Sequence, residues 1–191
     1  MSSLLDQDKL TQAWILAAEA HADQFIPGLS LPYIVHVGNV TMEVLTAFAS
    51  EDEPRNRNLA VLCALLHDTL EDTKLQVERI ALEFGPDVVA GVKALTKDRT
   101  MGTKREQMQD SLTRIREQPK EIWMVKLADR IVNLQPPPLH WNYEKIQAYH
   151  SEAMLIHDTL REGSAFLAKR LTEKIRYYAR YVTLTPANAD A

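Results

Sequence analysis

Four residues that are costly to bury, His67, Asp68, Glu71 and Asp72, follow directly on the apolar run LAVLCALL. Charge at the end of a core helix calls for partners or a metal ion. Helical spacing pairs His67 with Glu71 and Asp68 with Asp72 at i and i+4, so the four groups project from adjacent turns and form one local site. An imidazole beside carboxylates offers the nitrogen and oxygen ligands that a divalent transition metal prefers over Mg²⁺ or Ca²⁺. Two further segments supply what such a site lacks. PYIVH puts His36 one turn into a helix, and VKLADR places Asp129 among Val125, Leu127, Ala128 and Val132, where an unpaired carboxylate would be costly. Together His36, His67, Asp68 and Asp129 make a two-His, two-Asp set with positions left open for water. An open site of this kind is catalytic, because a bound cation brings the pKa of a water toward neutrality. A second His-Asp pair, His157-Asp158 in MLIHDTL, lacks this company and reads as a core-edge histidine beside a solvated aspartate.

The elements that must position these groups are helices. Apolar residues recur at intervals of three and four almost throughout, and strand-like alternation is scarce, which makes the fold all-α with about eight to ten helices. A first helix is expected over Lys9 to Phe25, ended by Pro27-Gly28, and a second from Pro32 to about Phe48. After a loop from Ser50 to Pro54, a third helix should run from Arg55 to Asp72 and carry His67 and its neighbours. A fourth is expected from Thr73 or Lys74 to Gly85, and Pro86 opens a fifth. The segment KDRTMGTK has no apolar period and, with Arg105, carries Lys97, Arg99 and Lys104, so it reads as a basic loop able to close over a polyphosphate. Helices over Arg105 to Glu117 and Glu121 to Leu134 follow, the latter ended by Pro136-Pro137-Pro138. Two closing helices, Tyr143 to Glu162 and Ser164 to Tyr181, precede a tail, residues 185–191, expected to fray.

Composition narrows the function. The 191 residues, 46% hydrophobic and 25% charged, suit one globular domain over residues 1–191. A net charge of −4 argues against nucleic acid as a partner, because neutralising a phosphate backbone takes a basic surface. No secretory signal and no membrane-length apolar run is visible. The lone Cys63 lies inside LAVLCALL and reads as a small buried hydrophobe. The expectation is a cytoplasmic protein that acts on a small-molecule nucleotide, away from membranes. Neither an oligomeric state nor a cognate synthetase is marked in the sequence.

The strings AAEAHADQ, PYIVH, ALLHDTLEDT, FGPDVVAGVKALTKD and VKLADRIVNL, spread over residues 14–134, resemble the HD-domain phosphohydrolases. The resemblance is strongest to the hydrolase domain of RelA/SpoT homologues and to stand-alone small alarmone hydrolases. It implies an HD-type helical bundle in which His36, His67, Asp68 and Asp129 hold one Mn²⁺ ion and Glu71 and Asp72 are catalytic. The implied reaction removes the 3′-pyrophosphate of a guanosine tetra- or pentaphosphate, leaving GDP or GTP. Which of Glu71 and Asp72 moves the proton is not set by spacing. Lys97, Arg99 and Arg105 of the basic loop, Lys126 and Asn133 on the face of Asp129, and Gln24 are the expected substrate contacts. With the matched region and its closing helices using up the chain, no synthetase domain is expected.

This sequence departs from the family in two places. Relatives carry a short basic run bordering the nucleotide base, where this chain has Phe25, Ile26, Pro27 and Gly28 after His21 and Gln24. Phe25 is expected to pack into the core at the helix end, with stacking on a purine as the alternative. An adenosine alarmone therefore stands beside the guanosine one as a substrate. So does a same-fold phosphatase reaction on the 2′-phosphate of NADPH or on a nucleoside monophosphate, and so does a binding module without turnover. The second departure is the proline triplet after VNL, beside Asn133.

Overall fold

The computed structural model describes residues 5–53 and 55–183, and all their regular elements are helical. Among the described residues ten α-helices follow one another: α1 (Gln7–Ala20), α2 (Ile34–Ser50), α3 (Arg57–Leu66), α4 (Thr69–Asp72), α5 (Val77–Phe84), α6 (Pro86–Leu95), α7 (Lys104–Arg116), α8 (Lys120–Asn133), α9 (Tyr143–Leu160) and α10 (Ala165–Thr183). A 3₁₀ turn, Arg161–Gly163, joins the last two. The all-α expectation holds; the expected frayed tail lies outside the described residues. No described helix is long and apolar enough to cross a membrane.

Two central helices explain where the core sits. From Leu59 to Leu66 every residue of α3 is buried, and α8 is buried without a break from Glu121 to Ile131. A helix buried all round must be enclosed by others. Accordingly α3 packs against α1, α2, α6 and α8, while α2, α9 and α10 also close on α8. Gly91 shows how tight this is. A Cβ there would stand 2.5 Å from Ile122 Cδ1 and 2.7 Å from Cys63 Sγ, so only glycine lets α6 approach α3 and α8 this closely. Cys63 is fully buried, as the small-hydrophobe reading requires. Arg130 of α8 pairs with Glu152 and lies 4.4 Å from the centre of the Tyr149 ring, tying α8 to α9.

Several boundaries differ from the sequence expectation, each for a local reason. The first helix stops at Ala20 rather than Phe25: the His21 N–H still reaches Ala17 O at 3.0 Å, but the Ala22 N–H turns to Glu19 O at 3.3 Å and the Gln24 N–H to His21 O at 3.0 Å, tight turns that end the α-helical ladder. Residues 24–33 then form a narrow loop closed by Tyr33 N–H to Gln24 O at 2.9 Å and Ile26 N–H to Leu31 O at 2.9 Å. Pro27-Gly28 is the tip of this loop, with Gly28 at φ 81° and Leu29 N–H bonded to Ile26 O, the arrangement of a type II turn. Phe25 sits here in a bridge to Pro32 and is 59% exposed, so it does not pack into the core. The expected third helix is broken: α3 ends at Leu66, His67 and Asp68 form a turn, and α4 resumes at Thr69. The Thr69 hydroxyl donates to Leu66 O at 2.7 Å across that break. The fourth expected helix begins later, at Val77, after a turn in which Thr73 Oγ1 accepts from Leu75 N–H.

Candidate metal and phosphate centre

Three helices bring the polar groups of the core to one point. His36 lies in the first turn of α2, His67 and Asp68 lie in the turn after α3, and Asp129 lies in the middle of α8. His36, His67 and Asp129 each present a ligand atom within 4.8 Å of the other two, and all three residues are buried. The two imidazole Nε2 atoms are 3.3 Å apart. Asp68 Oδ2 stands 2.8 Å from His67 Nε2 and 3.5 Å from His36 Nε2. Asp129 Oδ1 is 3.6 Å from His36 Nε2 and 4.0 Å from His67 Nε2. All four residues singled out from the sequence thus face one another.

These residues fit a divalent ion. His67 Nδ1 donates to the Ala64 carbonyl at 2.8 Å, a bond that fixes the ring and aims Nε2 at the cluster, as it does for ligating histidines. Two imidazole nitrogens and two carboxylate oxygens at such separations form a pocket for positive charge. The electrostatics agree. Burial opposes charge on His67, yet Asp68 and Asp129 beside it outweigh that and lift its pKa to about 9. Against the opposing effect of burial, Lys126, His67 and His36 hold Asp129 at about 2, and the two histidines hold Asp68 well below the carboxylate range.

Neighbouring side chains orient the carboxylates. Lys126 Nζ donates to Asp129 Oδ2 at 2.9 Å, and the Asn133 amide donates to Asp129 Oδ1. The Tyr33 hydroxyl donates to Asp68 Oδ2 at 2.6 Å, and burial together with Asp68 pushes that phenol far above its ordinary pKa. Tyr33 was not singled out from the sequence; its place three residues before His36 in PYIVH, on the same helical face, was the available signal.

Glu71 and Asp72 lie on α4, which follows directly on His67 and Asp68 of the His/Asp cluster, and each meets a cation of the basic loop. Glu71 Oε2 accepts from the Lys97 backbone N–H at 2.9 Å, and Lys97 Nζ is 3.3 Å from Oε1. Arg99 Nη2 is 2.5 Å from Asp72 Oδ1. Burial, then Asp68 and Glu71, raise the Asp72 pKa, and Arg99 opposes the rise. Lys104 and Arg105 are exposed at the start of α7, beyond the loop. Gln24 binds protein: its Nε2 donates to the Asp72 carbonyl at 2.5 Å, and its Oε1 is 2.7 Å from His21 Nδ1. His157 is engaged elsewhere, with Asp158 at 3.0 Å and Thr172 at 3.1 Å, on α9 and α10.

A helical frame that converges buried His and Asp side chains on one point, with an acidic pair and a cationic loop at its edge, defines a class: a helical phosphohydrolase with a site suited to a divalent metal. The family described as HD domain matches residues 13–163, and the chain belongs to it. Among similar proteins is guanosine-3′,5′-bis(diphosphate) 3′-pyrophosphohydrolase MESH1 of Drosophila melanogaster, 31% identical over 76% of this chain and 80% of that protein. The guanosine-3′,5′-bis(diphosphate) 3′-pyrophosphohydrolase of Aquifex aeolicus is 33% identical over 67% of this chain but only 18% of its own length. A solved metazoan ortholog of SpoT, described as hydrolysing ppGpp and acting in starvation responses, superposes with a TM-score of 0.78 at 28% identity, covering 92% of this chain and 98% of that one.

Proposed function

We propose that this protein hydrolyses the 3′-pyrophosphate of a purine alarmone of the (p)ppGpp type, using one Mn²⁺ ion held by His36, His67, Asp68 and Asp129. The observation that carries this reading is the convergence of those four side chains next to Glu71 and Asp72, each already paired with a loop cation. Water adds to the phosphorus nearest the ribose, the bond from that phosphorus to O3′ breaks, and pyrophosphate and GDP or GTP leave. The ion, when bound, acidifies the water and neutralises phosphate charge. Glu71 or Asp72 takes the water proton and passes it toward O3′. Lys97, Arg99 and Arg105 then meet the substrate phosphates, and Lys126 and Asn133 hold the Asp129 end of the site while bordering the phosphate and ribose. A phosphorylated nucleotide as substrate accords with a cytoplasmic location.

Exposed Phe25 favours a second reading on the base. A ring 59% exposed on the loop next to Gln24 offers a stacking surface that does not distinguish purines by hydrogen bonding, so an adenosine alarmone is a substrate of equal standing. The deciding experiment incubates the Mn²⁺-loaded protein with guanosine and adenosine alarmones, NADPH and simple nucleotides, and follows pyrophosphate and phosphate release. Pyrophosphate release from an alarmone is expected. Cleavage of NADPH or nucleoside monophosphates alone would overturn the proposal. Asp129→Ala should abolish both bound metal and turnover, and full activity in that variant would refute the ligand set.

A further inference from the structure

The C-terminal end of α1 touches the site through a set of contacts that neither metal binding nor phosphate binding explains. His21 is 2% exposed, and its Nδ1 lies 2.7 Å from Gln24 Oε1. An amide oxygen can only accept, so the proton sits on His21 Nδ1, and this bond turns the other end of the Gln24 amide, its NH₂, toward the Asp72 carbonyl at 2.5 Å. His21 Nε2 is left buried with no hydrogen-bond partner among the described residues. The same ring packs on Tyr33, with centroids 4.8 Å apart, and the Tyr33 backbone N–H is bonded to Gln24 O at 2.9 Å. Tyr33 in turn donates its hydroxyl to Asp68 Oδ2 and packs on His36, with ring centroids 5.1 Å apart.

We propose that His21, Gln24 and Tyr33 form a two-ended clamp of positioning residues, in which Gln24 sets the backbone of Asp72 and Tyr33 orients the carboxylate of Asp68. The clamp rests on the reading of Asp68 as a metal ligand and Asp72 as a catalytic residue. It gives Gln24 a role in positioning rather than in substrate contact. Asp68 is the N-cap and Asp72 the last residue of the four-residue helix α4, which is too short to hold itself in place. One end of that segment is tied through the Asp72 N–H bond to Asp68 O, but its carbonyl end and its ligand carboxylate both lean on the loop of residues 24–33. The two ends of the clamp therefore predict two separable defects.

The test compares Tyr33→Phe, Gln24→Ala and Gln24→Met for Mn²⁺ affinity by titration calorimetry, for kcat and KM, and for hydrogen exchange in residues 69–76 and in α8. Tyr33→Phe keeps the ring and loses the hydroxyl, so Mn²⁺ affinity should fall about tenfold, the lower range for loss of a group that supports a ligand. Gln24→Ala should leave Mn²⁺ affinity within about twofold, lower kcat about tenfold with KM nearly unchanged, and speed exchange in residues 69–76 but not in α8. Gln24→Met refills the volume without a donor and should remain as impaired. Unchanged Mn²⁺ affinity in Tyr33→Phe would overturn one end. A raised KM at constant kcat in Gln24→Ala, recovery in Gln24→Met, or unchanged exchange in residues 69–76 would overturn the other. Calorimetry and exchange require no turnover, so they decide the clamp even where no alarmone is cleaved.

Discussion

Lys126 Nζ donates to Asp129 Oδ2 at 2.9 Å from one turn earlier on α8, and both side chains are buried. Burial lowers the Lys126 pKa, but Asp129 more than compensates, so the ammonium stays charged at the base of the site. Removing one partner of a buried pair leaves the other uncompensated, which costs about 3–5 kcal/mol. Lys126→Met should lose stability of this order in chelator. A cation at 100 times its Kd would restore about 2.7 kcal/mol. Urea unfolding with and without Mn²⁺ checks this; equal stability of the variant in both conditions would count against a metal beside Asp129.

Metal removal should also show in the parent protein. At 1,000 times its Kd an ion adds about 4.1 kcal/mol, and a chain of this size shifts its Tm by about 2–4 °C per kcal/mol, so chelation should lower Tm by roughly 10 °C. Calorimetric scans in chelator and in Mn²⁺ test it, and identical Tm values would exclude a tightly held ion.

Metal affinity should rise with pH. With no cation bound, His67 is protonated up to about pH 9, held there by Asp68 and Asp129 against the effect of burial. A ligating imidazole must be neutral, so binding below that pH expels a proton, and the apparent affinity should fall by up to about tenfold per pH unit. The linkage to folding has the opposite sign. The raised pKa stabilises the metal-free fold fully below about pH 6.5, and this contribution is lost as pH rises through about 9. Calorimetry in buffers of different ionisation enthalpy counts the protons released; none at neutral pH would contradict the predicted charge of His67.

Arg99 should tune the acidic limb of activity. It counters the rise in the Asp72 pKa caused by burial, Asp68 and Glu71. With Arg99→Ala the Asp72 pKa moves further up, and a carboxylate that must be ionised is lost at a higher pH. The pH profile of kcat/KM should therefore move its acidic limb upward, with a larger loss at about pH 5 than at about pH 8. A uniform loss across pH would indicate that Arg99 serves substrate phosphates alone.

Gly91→Ala should destabilise the frame without touching the chemistry. The added Cβ would press on Ile122 Cδ1 and Cys63 Sγ, and overpacking of this kind costs about 1–3 kcal/mol. Lower denaturation midpoints with unchanged kcat are expected below the melting range.

Much of this protein is legible in one dimension. The three-and-four spacing of apolar residues marks the helices. The burial of α3 and α8 on every side follows from runs such as LAVLCALL and VKLA, so charges inserted at His67, Asp68 and Asp129 stood out as needing one another. Those signals are local, carried by residue type and period within a single helix. Contacts between distant loops carry no period. That Lys97 and Arg99 turn to Glu71 and Asp72, that Gln24 holds a backbone carbonyl, and that Tyr33 supports Asp68 depend on how α1, α4 and the basic loop pack together. The break at His67-Asp68 and the exposure of Phe25 were not legible either, although the bonds that make them are local: the Thr69 hydroxyl reaches Leu66 O, and the Leu29 N–H reaches Ile26 O at the Gly28 turn, neither of which leaves a mark in the apolar period. The sequence by itself singled out the side chains expected to hold a metal and to move a proton. Tertiary structure decided which other side chains hold them in place, because those partners are chosen by the meeting of faces rather than by spacing along the chain.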